Sequence, residues 1–174
     1  KKTEYSIFQT FDNIKLKIRN NSTDLMALTN VWIVREYENE KIDIKKNDII
    51  IDVGAHIGLF SLFISQFCKN GQIFTFEPML ENFDLLSQNI NLNNLDNIKI
   101  FNLAVSNSNS SVKLYLNQDD AGHSMFSKSS KSVTVNSISL QQIFDNNNIE
   151  DFLREKNHQK DRKKEEGKYF LRFL

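Results

Sequence analysis

A chain of 174 residues, 40% hydrophobic, 11% aromatic and 25% charged, is the size of one ordinary domain with enough apolar material for a real core, which excludes disorder throughout. Lys plus Arg and Asp plus Glu each number 22, so the formal charge of zero gives no general electrostatic reason to bind nucleic acid or an anionic membrane. Cys68 is the single cysteine, no Cys/His cluster has zinc-site spacing, and the longest apolar stretch, residues 57–67, falls short of the ~20 needed to cross a bilayer.

A reducing, cytoplasmic setting is the default on those grounds, with no metal, no nucleic acid and no membrane expected as partners. The opening Lys1-Lys2-Thr3 lacks Met and any signal-peptide pattern and reads as a trimmed or partial chain. One Pro and five Gly leave the boundaries to Asn, Asp and Ser clusters.

Ile14 to Ile18 alternates apolar and polar, as a half-exposed strand does, and Asn20-Asn21-Ser22 stops it. Thr23-Asp24 is placed to cap a short helix through Leu25, Met26 and Leu28, with a second helical pattern from Val31 to Tyr37. Tyr5, Phe8 and Phe11 read as packing residues.

From Asp48 the texture changes. Ile49-Ile50-Ile51-Asp52-Val53 is the apolar run of a strand buried on both faces, and Leu59, Leu62, Phe63 and Phe67 recur at helical spacing until Asn70-Gly71. Gln72 to Phe76 is a second strand, followed by a helix carrying Phe83, Leu85, Leu86 and Ile90, and Ile98 to Phe101 is a third strand. A β-α-β-α-β order with short connections specifies an α/β fold with a parallel, Rossmann-like sheet and right-handed crossovers.

Beyond Ser106, Val112 to Leu116 and Lys131 to Val135 suit a late antiparallel hairpin across a Ser-rich loop. Ser139 to Phe144 reads as a short helix, and Ile149 to Leu153 as the start of another strand. Arg154 to Glu166, almost wholly charged or polar, reads as an exposed helix or frayed tail, its basic stretch Lys160 to Lys164 a solvated face more than a nucleic-acid contact, before the apolar end Phe170 to Leu174.

The chemistry sits in Asp52-Val53-Gly54-Ala55-His56-Ile57-Gly58, between a buried strand and a helix, with Glu77 closing the next strand. Gly54 permits a positive φ and close approach of a ligand, and Gly58 lets the following helix start near it. An acid about 20 residues beyond a glycine turn is placed to accept hydrogen bonds from ribose hydroxyls, and Glu77 fits. A G-x-G-x-x-G dinucleotide turn is not met, and no Gly-Lys-Ser/Thr follows as a phosphate loop requires.

Bland readings stand beside these. The turn can be a tight strand-to-helix connection only, and Glu77 a helix N-cap before Pro78. His56 reads as a solvent-facing turn residue, not a base, and Cys68 as a small core residue. His123 and Ser124 are candidates for the substrate side, with a solvated loop as the alternative.

Asp-x-Gly-x-x-x-Gly resembles the first motif of S-adenosylmethionine-dependent methyltransferases, and further motifs resemble the FkbM family among them. These are Arg19 through Thr23-Asp24 to Glu36-Tyr37 upstream, Phe76-Glu77-Pro78, Asn82-Phe83, Leu86, Asn89-Ile90 and Asn93 downstream, and Asn102-Leu103-Ala104-Val105-Ser106 after the third strand. The resemblance spans residues 19–153. It implies a Rossmann-like methyltransferase fold, S-adenosylmethionine as cofactor, and O-methylation of a hydroxyl on a sugar or other small molecule. Asp52, Gly54, Gly58 and Glu77 would contact the cofactor, with Asn102 and Ala104 near the adenine.

The family would continue past Leu153 with a strand ending in a Lys-x-Asp-x-Glu-Gly-type motif, where this chain has Arg154-Glu155-Lys156-Asn157 and only an echo at Glu166-Gly167. The expectation is a fold incomplete or altered at its C-terminal end. It divides into a cover at 1–47, an S-adenosylmethionine-binding core at 48–153 and a charged tail with an apolar end at 154–174, one domain overall. An exposed sheet edge would favour a homo-oligomer. A cofactor-binding remnant without turnover and a non-enzymatic interaction module are the competing readings.

Overall fold

In the computed structural model, residues 4–34, 44–116, 131–149 and, by backbone alone, 169–173 are described. The three expected core strands form β3 (Ile49–Val53), β4 (Gln72–Phe76) and β5 (Ile98–Phe101), joined by α2 (Leu59–Ser65) and α3 (Leu80–Asn93). They pair in parallel in the order β5-β4-β3. The sheet then gains β9 (Tyr169–Phe173), parallel to β3 on its other side, with Ile49 opposite Tyr169 and Val53 opposite Phe173. The apolar end of the tail therefore joins the core sheet, a placement that pattern alone did not supply.

The run Ile49-Ile50-Ile51 is apolar throughout because both faces of the sheet are covered. Ile50 packs with Leu62, Phe63, Ile73, Leu86 and Ile90 in one core. Ile49 and Ile51 pack in a second core with Phe74, Phe76, Ile143 and Ile149. Phe76 stacks on Phe101 with ring centroids 4.8 Å apart. Cys68 is a buried core residue whose Sγ lies 2.7 Å from the Asp48 carbonyl oxygen, and burial, with the Asp48 charge, pushes its thiol up to about 12.

The N-terminal strand is preceded by another, giving an antiparallel hairpin of β1 (Tyr5–Gln9) and β2 (Lys15–Arg19). Only β2 turns apolar residues inward, Leu16 and Ile18 being buried. Tyr5 and Phe8 are largely exposed and Phe11 fully so, correcting their reading as packing residues. Tyr5 instead offers its ring to Lys17, whose Nζ lies 4.5 Å from the centroid.

The capped helix forms as α1 (Asp24–Thr29), but Thr23 makes no side-chain cap hydrogen bond and Leu25 and Met26 face outward. The second helical pattern is a single π-helical turn over Asn30–Val34; residues 35–37 lie outside the described ones. The hairpin expected beyond Ser106 is present as β7 (Ser111–Tyr115) antiparallel to β8 (Ser132–Ser139). Its sheet also includes β6 (Ala104–Ser106), parallel to β8. Ser139 caps α4 (Leu140–Asn146), its hydroxyl accepting from the Gln142 N–H. Ile149 belongs to a helical turn and the second core, not to a strand, and residues 150–153 lie outside the described ones.

Candidate functional site

The Asp52–Gly58 turn leaves the carboxyl end of β3 and folds onto the end of β4. The Gly54 and Ala55 N–H groups both donate to the Phe76 carbonyl, at 2.9 and 3.0 Å. Gly54 and Gly58 are left-handed, at φ 75° and 85°, and a Cβ at Gly58 would overlap the Leu86 δ-methyl on α3. Glycine at 58 is thus favoured by its left-handed backbone, and a Cβ there would have to shift the Leu86 side chain of α3.

Asp52 is fully buried and accepts a hydrogen bond from Ser61 Oγ of α2 at 2.7 Å; Ser61 in turn meets Thr75 Oγ1 of β4 at 2.8 Å. One residue past the end of β4, Glu77 is 4% exposed. Its Oε2 accepts the His56 N–H at 2.8 Å and its Oε1 the Met79 N–H at 2.9 Å. Burial pushes the Glu77 carboxyl up to about 7, with the Asp52 charge adding to the rise and the Met79, His56 and Asn82 hydrogen bonds opposing it. Asp52 in β3 and Glu77 just past β4 thus lie near the ends of adjacent parallel strands, close enough for the Asp52 charge to act on Glu77.

Asn102 follows β5, and its Nδ2 donates to the Glu77 and Pro78 carbonyls at 2.9 and 3.1 Å. It fixes the chain that carries the Glu77 carboxylate. Ala104 is buried at the start of β6. His123 and Ser124 lie outside the described residues.

His56 corrects its sequence reading. It is not a solvent-facing turn residue: its side chain is 12% exposed, and Nε2 lies 2.8 Å from Arg19 Nη2. Arg19 forks onto the fully buried Asp24, Nε to Oδ2 at 2.9 Å and Nη2 to Oδ1 at 2.8 Å. Burial alone would raise the Asp24 carboxyl, but the hydrogen bonds and charge of Arg19 hold it below its usual value.

Arg19 and Asn89 were legible only as motif members without a role, and Asp24 only as part of a helix cap. A buried-spaced Arg followed five residues later by an acid was the available signal for the ion pair. Among the described residues no group of three or more His, Cys, Asp or Glu is placed to hold a metal, and no helix is long and apolar enough to cross a membrane.

Parallel strands, a left-handed glycine turn and an acid closing the second strand define a Rossmann-like domain. The methyltransferase FkbM domain matches residues 52–154, and the chain belongs to that family. Methyltransferase sdnD of Sordaria araneosa is 36% identical over 73 residues, 41% of this chain and 28% of that protein. The chain therefore spans under a third of that curated relative. Two solved structures are similar to part of the chain. M. jannaschii TYW2 in complex with AdoMet has 20% identity and a TM-score of 0.44 over 58% of this chain and 44% of that one. Methyltransferase FkbM from Methylobacillus flagellatus has 13% identity and a TM-score of 0.37 over 44% of this chain and 22% of that one.

Proposed function

We propose that this chain binds S-adenosylmethionine at the carboxyl ends of β3 and β4 and serves methyl transfer to a hydroxyl oxygen of a sugar or other small molecule. The observation that carries the reading is the Glu77 carboxylate, buried at the end of β4 and held by two main-chain N–H groups, one on each oxygen. With the Asn82 side chain as a third donor, the carboxylate still retains acceptor capacity for a ribose hydroxyl. Asp52, one strand over, supports the amino-acid end of the cofactor, and Gly54 gives close backbone approach. Asn102 holds the Glu77 main chain, and Asn102 and Ala104 border the adenine side.

Held by Glu77 and Asp52, the cofactor would supply an electrophilic methyl group to the acceptor oxygen, with the neutral thioether as leaving group and the hydroxyl proton passing to solvent. The part of the chain described is binding and alignment, which by itself removes much of the entropic barrier. The acceptor class rests on the family. Residues 48–153 are the cofactor-binding core in this reading and residues 1–47 its cover, and the buried Cys68 thiol suits a reducing, cytoplasmic setting.

The test is calorimetric titration of the chain with S-adenosylhomocysteine, the demethylated product. Micromolar binding by the parent that is lost in Glu77→Ala is expected. Absence of binding by a folded parent, or equal binding by Glu77→Ala, overturns the reading. With binding established, methyl transfer to a panel of hydroxyl acceptors tests turnover.

A further inference from the structure

We propose that Arg19, Asp24 and His56 form a positioning unit through which the N-terminal cover aims the His56 N–H at the Glu77 carboxylate, so that cofactor affinity depends on residues of the cover. The inference rests on the cofactor reading above and extends it from the strand ends to β2 and α1.

The chain of contacts is short. Asp24 accepts from Arg19 three times, from its main-chain N–H at 2.8 Å and from Nε and Nη2 of its side chain. Ser22 tightens the loop between them, its hydroxyl donating to the Arg19 carbonyl at 2.9 Å and accepting from the Asp24 N–H at 3.2 Å. Arg19 Nη2 carries two hydrogens. One reaches Asp24 Oδ1 and the other reaches His56 Nε2, both at 2.8 Å. A guanidinium has no acceptor, so Nε2 must accept, which leaves the imidazole neutral with its proton on Nδ1. The 3.4 Å separation between His56 Nε2 and Asp24 Oδ1 then follows from both sitting on one nitrogen, not from a bond between them.

His56 is the point where this rigid unit meets the turn. Its φ of 55° is left-handed, a conformation strained for a residue with a Cβ. That conformation turns its N–H onto Glu77 Oε2 at 2.8 Å. A ring anchored on a buried fork at one end and an N–H on the cofactor acid at the other make His56 a lever between cover and site. A buried Arg–Asp pair contributes little net stability against its desolvation, whereas it fixes geometry firmly, which suits a positioning role.

The test uses His56→Asn and Arg19→Lys, singly and together. Asn tolerates the left-handed backbone but does not span to Arg19, and Lys keeps a positive charge for Asp24 without the fork. Affinity for S-adenosylhomocysteine is measured from pH 6 to 9. Glu77 is faced there by Asp52 from β3, by Asn82 from α3 and by the His56 and Met79 N–H groups. Each single variant is expected to bind about tenfold more weakly, the value of one charge-assisted hydrogen bond. The pH midpoint at which affinity rises should move upward, because a carboxylate losing a donor is harder to ionise. The double variant should bind no more weakly than the poorer single.

Variants that lose thermal stability yet keep the parent's affinity and pH midpoint would overturn the inference, as would losses that multiply in the double variant. His56→Asn leaves the ion pair intact and decides the matter alone if Arg19→Lys does not fold. A folded parent that binds no S-adenosylhomocysteine would overturn the cofactor reading and this inference with it; a binding parent with unaltered variants overturns the inference alone.

Discussion

The side chain of Asn89 pairs with the main chain of Lys17 as a neighbouring strand would. Its Oδ1 accepts the Lys17 N–H at 2.6 Å and its Nδ2 donates to the Lys17 carbonyl at 3.0 Å. The same Nδ2 reaches the Ile57 carbonyl at 2.9 Å, inside the Gly54–Gly58 turn. One helix turn on, Asn93 repeats the pattern on Lys15, with its Oδ1 2.7 Å from the N–H and its Nδ2 2.7 Å from the carbonyl. The edge of β2 is satisfied by two amides of α3 in place of a strand, which is what an edge requires.

Asn89→Ala should therefore destabilise far more than Asn93→Ala. The first strands three main-chain partners around a fully buried side chain, and on the order of 3 kcal/mol is expected in urea unfolding. The second opens onto a half-buried surface where water replaces the amide, and about 1 kcal/mol or less is expected. Equal losses would remove the clamp as an explanation for the two asparagines.

Glycine at 71 is held by a different constraint from glycine at 58. A Cβ at Gly71 would overlap the Asp48 main-chain carbonyl and Cys68 Sγ, neither of which is the end of a flexible side chain, whereas at Gly58 it meets the movable δ-methyl of Leu86. Gly71→Ala should cost about 3 kcal/mol or more through displaced backbone at the start of β4. Gly58→Ala should cost about 1–2 kcal/mol, mainly from its left-handed φ. Thermal unfolding of the two variants gives the order directly.

The core strands were legible because their signal is local. Ile49-Ile50-Ile51 needs only burial on two faces, and the Gly54/Gly58 spacing with Glu77 needs only a turn and the next strand end. What escaped depends on partners far along the chain. His56 looked like a surface turn residue because Arg19, 37 positions away, carries no sign that its fork will reach it. Tyr5, Phe8 and Phe11 looked like core because aromatic content says nothing of which hairpin face is covered. A three-residue strand such as β6 has no periodicity to read, and β9 could not be assigned to the edge of β3 without the fold.

The Arg19–Asp24 pair predicts an acid-sensitive cover. Asp24 is ionised more readily in the folded chain than in the unfolded one, so its stabilisation is complete above the usual carboxylate range and is lost as pH falls through the lowered folded value. Asp24→Asn removes the carboxylate that the Arg19 side chain, 7% exposed, forks onto, and a loss of about 3–5 kcal/mol at neutral pH is expected. The variant should also lose the parent's steepening of acid denaturation below pH 4, which equilibrium unfolding across pH 3 to 7 will read.

Glu77 has the opposite sign. Its carboxyl lies near 4.5 when unfolded and about 7 when folded, so between those values the native chain holds a proton that the unfolded chain has lost. Stability falls as pH rises through that window and is level above it, by on the order of 3 kcal/mol in total. Glu77→Gln should flatten this slope in urea unfolding at pH 5, 6 and 7. The same raised value makes the ligand readable: a diol donating to Glu77 favours the ionised form, so binding should release protons near pH 6.5. Calorimetry of S-adenosylhomocysteine binding in two buffers of different ionisation enthalpy measures that release. Heats that do not differ between the buffers would remove Glu77 as the acceptor of the ribose hydroxyls, however tightly the nucleoside binds.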